Sequence, residues 1–259
     1  MSKSNEASTP TDGFSTPTKK AIPLLAWFAA FLLIIISCFY LSWKSLSSAD
    51  LLYPFWYQQI GIIKVIDTYG PQNRNKDDFA KTNKQERVRL FNEILISVQD
   101  EGIGLREITY HQPNGKAIDT LLTDAEVIHL EDVANIATIC LRTGLLSIAL
   151  LLPLLALLKI KKVPMPKVRT LLGFLTAIFG LTTVFVIIAG PVNVFYKLHI
   201  MIFPQNHQWF FYYEDSLMTT LMYAPNLFGY IAVVWAAISF ILIALALKVC
   251  HRFSYRKLV

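Results

Sequence analysis

Residues 21–43 include no charged side chain, and three further apolar segments of similar length follow along the chain. About twenty consecutive apolar residues are what an α-helix needs to cross the hydrocarbon core of a bilayer. The later segments cover residues 135–158, 171–191 and 221–247. Because hydrophobic residues also make up 54% of the chain, we predict an integral membrane protein with four transmembrane helices.

The net charge of +6 is concentrated beside these predicted helices. Lysine and arginine residues precede the first helix, fill the turn at 159–170 and follow the fourth helix. Segments 44–134 and 192–220 instead contain more acidic than basic residues. Since basic residues in short flanking segments stay in the cytoplasm, both termini and the turn are expected inside. The basic residues therefore predict a membrane topology, with no role in binding nucleic acid.

The predicted fold class is a membrane all-α protein with four transmembrane helices and a small α+β extracytoplasmic domain between helices 1 and 2. Ile35-Ile36-Ser37-Cys38 is similar to the cleavage site of a lipoprotein signal, but the apolar run continues beyond it, which favours an uncleaved signal-anchor helix. The predicted segments are a disordered cytoplasmic tail (1–20), helix 1 (21–43), the extracytoplasmic domain (44–134), helix 2 (135–158), a cytoplasmic turn (159–170), helix 3 (171–191), an extracytoplasmic interfacial loop (192–220), helix 4 (221–247) and a cytoplasmic tail (248–259).

Three local patterns predict the structure of the extracytoplasmic domain. Residues 77–99 have the 3.6-residue spacing of an amphipathic helix. Residues 103–110 and 117–121 alternate in polarity around Pro113-Asn114-Gly115, which is typical of a β-hairpin. Thr123, followed three residues later by Glu126, predicts a capping box at the start of a helix that continues into the second span.

Glu126, His129 and Asp132 are three residues apart and therefore share one face of that helix. A carboxylate one turn away can accept the imidazole N–H and support a histidine general base. The alternative interpretation is an interfacial helix that exposes its charges to water. His199 lies in an aromatic segment at a similar predicted depth, so the two extracytoplasmic loops could bring both imidazoles to a lipid ester.

Five short segments form an ordered set of motifs along the chain. They are Glu126-Val127-Ile128-His129-Leu130-Glu131-Asp132-Val133, Tyr196-Lys197-Leu198-His199-Ile200-Met201-Ile202-Phe203, Trp209, Asp215-Ser216-Leu217-Met218 and Pro225-Asn226-Leu227-Phe228. This set resembles the lipoprotein intramolecular transacylase family of bacterial four-span membrane proteins. The resemblance implies transfer of an acyl chain from the glycerol of a diacylglyceryl-cysteine lipoprotein to the α-amino group of that cysteine. It also implies that His129 and His199 are the paired functional histidines and that Asp132 is the acid of an H-x-x-D-V motif.

The chemistry of such a transfer suits histidine. Acyl transfer from oxygen to nitrogen needs a base for the attacking amine and an acid for the departing alkoxide, and an imidazole with a pKa of about 6.5 serves both. Glu126 and Asp132 are the predicted supporting residues. Arg142, the one charge within the predicted spans, and Trp209 are the candidates for substrate binding. No metal or other cofactor is expected in this interpretation.

Two alternatives remain open at the level of sequence. Glu126, His129, Asp132, His199 and His207 could bind Zn²⁺ in a membrane hydrolase or sensor, although the H-E-x-x-H pattern is missing. The chain could also be a non-enzymatic accessory or assembly protein whose extracytoplasmic domain binds a partner. The cysteines Cys38, Cys140 and Cys250 lie in or beside apolar segments, so no disulfide framework is predicted.

Overall fold

The computed structural model describes residues 18–255 of the chain. It confirms a mostly helical fold with four helices that are long and apolar enough to cross a membrane. They are α1 (Thr18–Ser47), α5 (Asp124–Ile160), α6 (Val168–Ala189) and α9 (Asn226–Tyr255). The candidate spans within them are Pro23–Ser47, Asp124–Ile160, Val168–Ala189 and Asn226–Arg252. Most of the predicted N-terminal tail, residues 1–17, lies outside the described residues, as do residues 256–259.

Helix α1 packs against both α5 and α9. The hydroxyl of Ser37 shares a hydrogen bond of 2.8 Å with that of Ser147 on α5. Ser42 and Ser239, on α1 and α9, share one of 2.6 Å. All four side chains are buried. Paired hydroxyls between apolar helices satisfy polar groups that lipid cannot, so these contacts fix how the three helices face one another.

Several short elements lie between α1 and α5, and together they are called the small domain. These are α2 (Tyr53–Gln59), α3 (Ile62–Tyr69), α4 (Lys84–Gln99) and the antiparallel strands β1 (Thr109–His111) and β2 (Ala117–Thr120). The strands pair Thr109 with Thr120 and Tyr110 with Asp119, with a bulge after Tyr110. The predicted β-hairpin is therefore confirmed. Its first strand is shorter than predicted, because Gly102 and Gly104 adopt positive φ angles and residues 105–107 form a 3-10 turn.

The core of this domain also includes residues that come much later in the chain. Phe211, Leu217, Leu221 and Leu227 pack in the same buried cluster as Tyr53 and its neighbours. The hydroxyl of Tyr53 donates a hydrogen bond of 2.7 Å to the carbonyl of Leu221. The domain is thus completed by residues from the predicted loop 192–220 and from the start of the predicted fourth helix, rather than by 44–134 alone.

Two predicted helix starts differ from the structure. The amphipathic helix predicted from residue 77 begins at Lys84, because the side chain of Asn83 caps it by accepting the N–H of Glu86. The fourth apolar segment, predicted from residue 221, begins its long helix at Asn226. Leu221 belongs instead to a separate short helix, α8 (Leu217–Met222), which is buried in the small domain.

The predicted loop 192–220 is partly helical. After α6 the chain turns at Gly190, whose φ of 82° favours glycine, and helix α7 (Pro191–Ile202) follows. Helix α7 has no buried residue, and it exposes Leu198, Ile200 and Met201. It is not among the candidate spans. This helix carries His199 and therefore sets the position of one of the two candidate histidines.

Candidate active site

Helix α5 begins with the predicted capping box, which the structure confirms. The side chain of Thr123 accepts the backbone N–H of Glu126, and the Glu126 carboxylate accepts the backbone N–H of Thr123 at 2.6 Å. The helix contains 37 residues, which at 1.5 Å per residue is roughly 55 Å, well beyond the thickness of a bilayer core. Its first turns therefore extend past the membrane, where Val127 and Leu130 join the core of the small domain.

The carboxylate of Glu126 is fully engaged in local structure. Its side chain is only 1% exposed. One oxygen accepts from Thr123, while the other accepts from the hydroxyl of Ser216 at 2.5 Å and from the backbone N–H of Met218 at 3.4 Å. These hydrogen bonds join the start of α5 to the start of α8. The structure gives Glu126 no hydrogen bond to His129, the partner suggested by their spacing in the sequence.

His129 and His199 lie together in the structure. Their ring centroids are 6.2 Å apart, although the residues belong to α5 and α7. The side chain of His129 is 8% exposed, whereas that of His199 is half-buried. At this separation one small group, such as an ester carbonyl or a water molecule, can contact both rings.

Aromatic side chains surround the two imidazoles. The ring of Phe203 lies 4.9 Å from that of His129 and 5.1 Å from that of His199. Phe211 contacts His129 at 6.0 Å, and Trp209 contacts His199 at 5.2 Å. These apolar walls exclude water and strengthen electrostatic interactions between the groups that react there. Trp209, a predicted substrate-binding residue, therefore lies at the edge of the histidine pair.

The hydrogen bonds of the two rings differ. Nδ1 of His199 donates to the carbonyl of Phe195 at 2.9 Å, which leaves Nε2 with the lone pair of the neutral ring. Nδ1 of His129 is buried without a hydrogen-bond partner among residues 18–255. Burial lowers the pKa of His199, and the Phe195 carbonyl offsets only part of this effect. His199 is thus held neutral near pH 7 with Nε2 available as a base.

Asp132 contacts a histidine other than the expected one. Its Oδ2 lies 2.7 Å from Nδ1 of His207, in the loop between α7 and α8. The sequence spacing pairs Asp132 with His129, its neighbour on the helix face, and suggests His207 only as a possible metal ligand. A contact between residues 75 positions apart leaves no periodic signal in the sequence.

Arg142, the other predicted substrate-binding residue, forms an ion pair with Glu101 of the small domain. It lies thirteen residues after His129 on one helix, a separation of roughly 20 Å along the axis. Its side chain is 74% exposed, and it reaches the glutamate as long basic side chains do near the end of a span. The structure therefore does not bring Arg142 to the histidine pair.

The possible metal ligands are also divided between different contacts. His129 faces His199, Asp132 contacts His207, and Glu126 is bound to the starts of two helices. Across residues 18–255, no group of three or more His, Cys, Asp or Glu side chains is arranged to hold a metal ion.

Four apolar helices define a multi-pass membrane protein, and a histidine pair lies beside the end of one of them. The model of the protein family described as lipoprotein intramolecular transacylase Lit matches residues 28–224. The chain belongs to this lipoprotein intramolecular transacylase family.

Comparison of folds shows solved structures with a similar architecture. Structures of the membrane integral lipoprotein intramolecular transacylase Lit from Bacillus cereus are similar to this chain. One, a histidine-to-arginine variant, has a TM-score of 0.64 and 18% identity, and covers 92% of this chain and 93% of its own. A second structure has a TM-score of 0.64 and 18% sequence identity, and the match covers 91% of this chain and 96% of that one. A histidine-to-alanine variant has a TM-score of 0.61 and 19% sequence identity, and the match covers 92% of this chain and 94% of that one. Comparison with curated proteins gives no match.

Proposed function

We propose that this chain transfers an acyl chain within a lipid-modified lipoprotein, with His129 and His199 as the acid–base pair. The acyl chain moves from the glycerol of a diacylglyceryl-cysteine to the α-amino group of the same cysteine. The observation that carries this proposal is the 6.2 Å separation of the two imidazoles inside an aromatic pocket. Membership of the transacylase family supports the reaction class.

The transfer needs two proton movements. The amine nitrogen attacks the ester carbon, a nitrogen–carbon bond forms, and the carbonyl electrons move to oxygen. The nitrogen then loses a proton to Nε2 of His199, the base that its hydrogen bond to Phe195 orients. As the carbon–oxygen bond to glycerol breaks, the departing oxygen takes a proton from the histidine pair. The products are an amide and a free glycerol hydroxyl.

No serine or cysteine nucleophile is required, because the ester and the amine belong to one molecule. Holding two reacting groups in line can lower a barrier by about 7–11 kcal/mol through proximity alone. The wall formed by Phe203, Phe211 and Trp209 is suited to holding the lipid part of the substrate. The protein then mainly positions the amine beside the ester carbonyl of the substrate and transfers protons. No metal or other cofactor takes part in this scheme.

We also propose that the site faces the outside of a bacterial cytoplasmic membrane. The basic turn at 159–170 and both basic termini favour a cytoplasmic location for these segments. Residues 44–134 and 192–220 then form the extracytoplasmic domain and its interfacial loop. Segments 1–20, 159–170 and 248–259 lie in the cytoplasm. Lipid-modified cysteines of exported lipoproteins would reach the histidine pair from this side.

Mass spectrometry of lipoprotein N-terminal peptides tests the proposal directly. Cells that make the wild-type chain should accumulate lipoproteins with an N-acylated cysteine and one acyl chain on glycerol. His129→Ala and His199→Ala should abolish this product while the variants still accumulate in the membrane. Full activity in both variants would contradict the acid–base assignment and favour the accessory-protein alternative. Activity that is lost on chelation and restored by a metal ion would favour the metal-dependent alternative.

A further inference from the structure

Asp132 and His207 form a carboxylate–imidazole pair beside the histidine pair. Oδ2 of Asp132 lies 2.7 Å from Nδ1 of His207, and their side chains are 17% and 33% exposed. A carboxylate that accepts the Nδ1–H of an imidazole leaves the lone pair at Nε2 and stabilises the imidazolium that forms there. The contact therefore gives His207 the arrangement of an oriented base.

The position of His207 follows from its neighbours in the chain. Phe203 and Phe211, four residues before and after it, both contact the ring of His129. Asp132 lies one turn after His129 on the same helix face. Loop 203–211 thus lies against the first turns of α5, and His207 is held to that helix by Asp132, one turn after His129.

Two acceptor atoms of the pair are free. Within residues 18–255, neither Oδ1 of Asp132 nor Nε2 of His207 takes part in a hydrogen bond. Glu126, the other acid on this helix face, has both oxygens occupied. Asp132 and His207 therefore retain acceptor capacity for a donor on the substrate.

The substrate has such a donor. An α-amino group has a pKa of about 7.7–8.0, so most of it is ammonium at neutral pH and has no lone pair for attack. The aromatic rings around His129 and His199 have no formal charge that could neutralise a cation. Burying an ammonium group without a partner is costly, and Asp132, one turn after His129, has an oxygen without a hydrogen bond within residues 18–255.

We propose that Asp132 and His207 bind the α-ammonium group of the substrate and remove its first proton. This assignment rests on the proposed function. An N–H bond of the ammonium breaks, its electron pair stays on nitrogen, and the proton moves to Nε2 of His207. The neutral amine then attacks the ester held at His129 and His199. Asp132 stabilises the imidazolium of His207 until its proton passes to water.

The test compares rates at two pH values for three purified variants acting on a diacylglyceryl-cysteine peptide. His207→Gln keeps a donor for Asp132 but has no lone pair that takes a proton near neutral pH. Asn206→Ala, a change at an exposed neighbour, is the matched control. His199→Gln removes the base of the proposed transfer step.

His207→Gln should lower kcat/KM about five- to tenfold at pH 7, where only the free-amine fraction of the substrate reacts. Near pH 9 that fraction approaches one, so the rate should return to the wild-type value. His199→Gln should stay inactive at both pH values, and Asn206→Ala should match the wild type throughout.

Two outcomes would overturn the assignment. An equal loss for His207→Gln at pH 7 and pH 9 would mean that His207 only holds the loop, and an unchanged rate at pH 7 would mean that it has no role in the transfer. Both outcomes leave wild-type activity intact, so they differ from failure of the proposed function, in which the wild-type protein itself makes no product.

A second measurement tests recognition of the charge. A substrate analogue with a hydroxyl group in place of the amine is neutral and serves as a competitive probe. The wild-type protein should bind the amine substrate more tightly than this probe at pH 7, and Asp132→Asn should remove the difference. If Asp132→Asn weakens both ligands equally, Asp132 does not bind the ammonium group.

Discussion

Tyr40 on α1 lies directly against Gly144 on α5, so closely that a Cβ atom at residue 144 would be 2.4 Å from Cδ2 of the tyrosine ring. Real Cβ atoms do not approach other atoms so closely, and only glycine allows the two helices this contact. The contact lies a few residues from the hydrogen bond between Ser37 and Ser147. Helix α5, which carries His129, is therefore held in place by its contact with α1.

Gly144→Val should lower the midpoint of thermal unfolding in detergent, because overpacking of this kind costs about 1–3 kcal/mol or more. Gly173→Val is the matched control, since a Cβ at residue 173 would meet nothing within 4 Å beyond the nearby backbone of its own helix. Comparable midpoints for the two variants would show that α1 and α5 separate easily at this contact.

The pH dependence of the transfer should reflect the lowered pKa of His199. Burial favours the neutral ring, so acidification from pH 7 should leave His199 able to act as a base until the pH falls below its ordinary pKa of about 6.5. We expect the acid limb of kcat, measured with saturating substrate, to have its midpoint below pH 6.5. A midpoint above that value would assign the limb to another group or place His199 in a more polar environment.

Glu126→Gln separates a structural role from a catalytic one. The amide nitrogen cannot accept the hydrogen bonds that Thr123 or Ser216 now donates, so the variant should lose about 1–3 kcal/mol of stability. Asp124→Asn, which weakens an exposed ion pair with Arg106, should cost at most about 1 kcal/mol.

The activity of Glu126→Gln per folded molecule should stay close to that of the wild type. Thermal unfolding gives the stability, and the rate is normalised to folded protein. Normal stability with activity lower by orders of magnitude would instead mean that Glu126 orients His129, as the sequence spacing suggested.

The proposed topology is tested by labelling single cysteines in whole cells. In a chain whose three native cysteines are replaced by alanine, a membrane-impermeant maleimide should modify cysteines at Asn114 and Gln205. A cysteine at Val163, in the turn between α5 and α6, should be modified only after the membrane is permeabilised. Labelling at Val163 in intact cells would reverse the orientation.

The sequence predicted what depends on local patterns. The four apolar segments were predicted from their length, and the capping box was predicted because Glu126 follows Thr123 by three residues. The approach of His129 to His199 was predicted from their similar depth in the two extracytoplasmic loops, and the structure places the rings 6.2 Å apart.

Contacts between distant parts of the chain were not predictable in this way. The pairs Asp132–His207 and Glu101–Arg142 join residues 75 and 41 positions apart, and they depend on how a loop or the small domain lies against α5. The helix predicted from residue 77 begins later because Phe79 is buried in a 3-10 turn and Asn83 caps the first turn of α4.

The core of the small domain includes residues 211–231, so it can be completed only after these residues have been synthesised. When residues 44–134 leave the ribosome, the surfaces of Tyr53 and Phe91 that pack against 211–231 have no partner yet. About eighty further residues, including α6 and α7, must be synthesised before that partner is available. At ordinary rates of synthesis this takes several seconds. During this interval an apolar surface is open to chaperones, to lipid and to other nascent chains. A chain that stops before residue 211 would keep that surface exposed permanently.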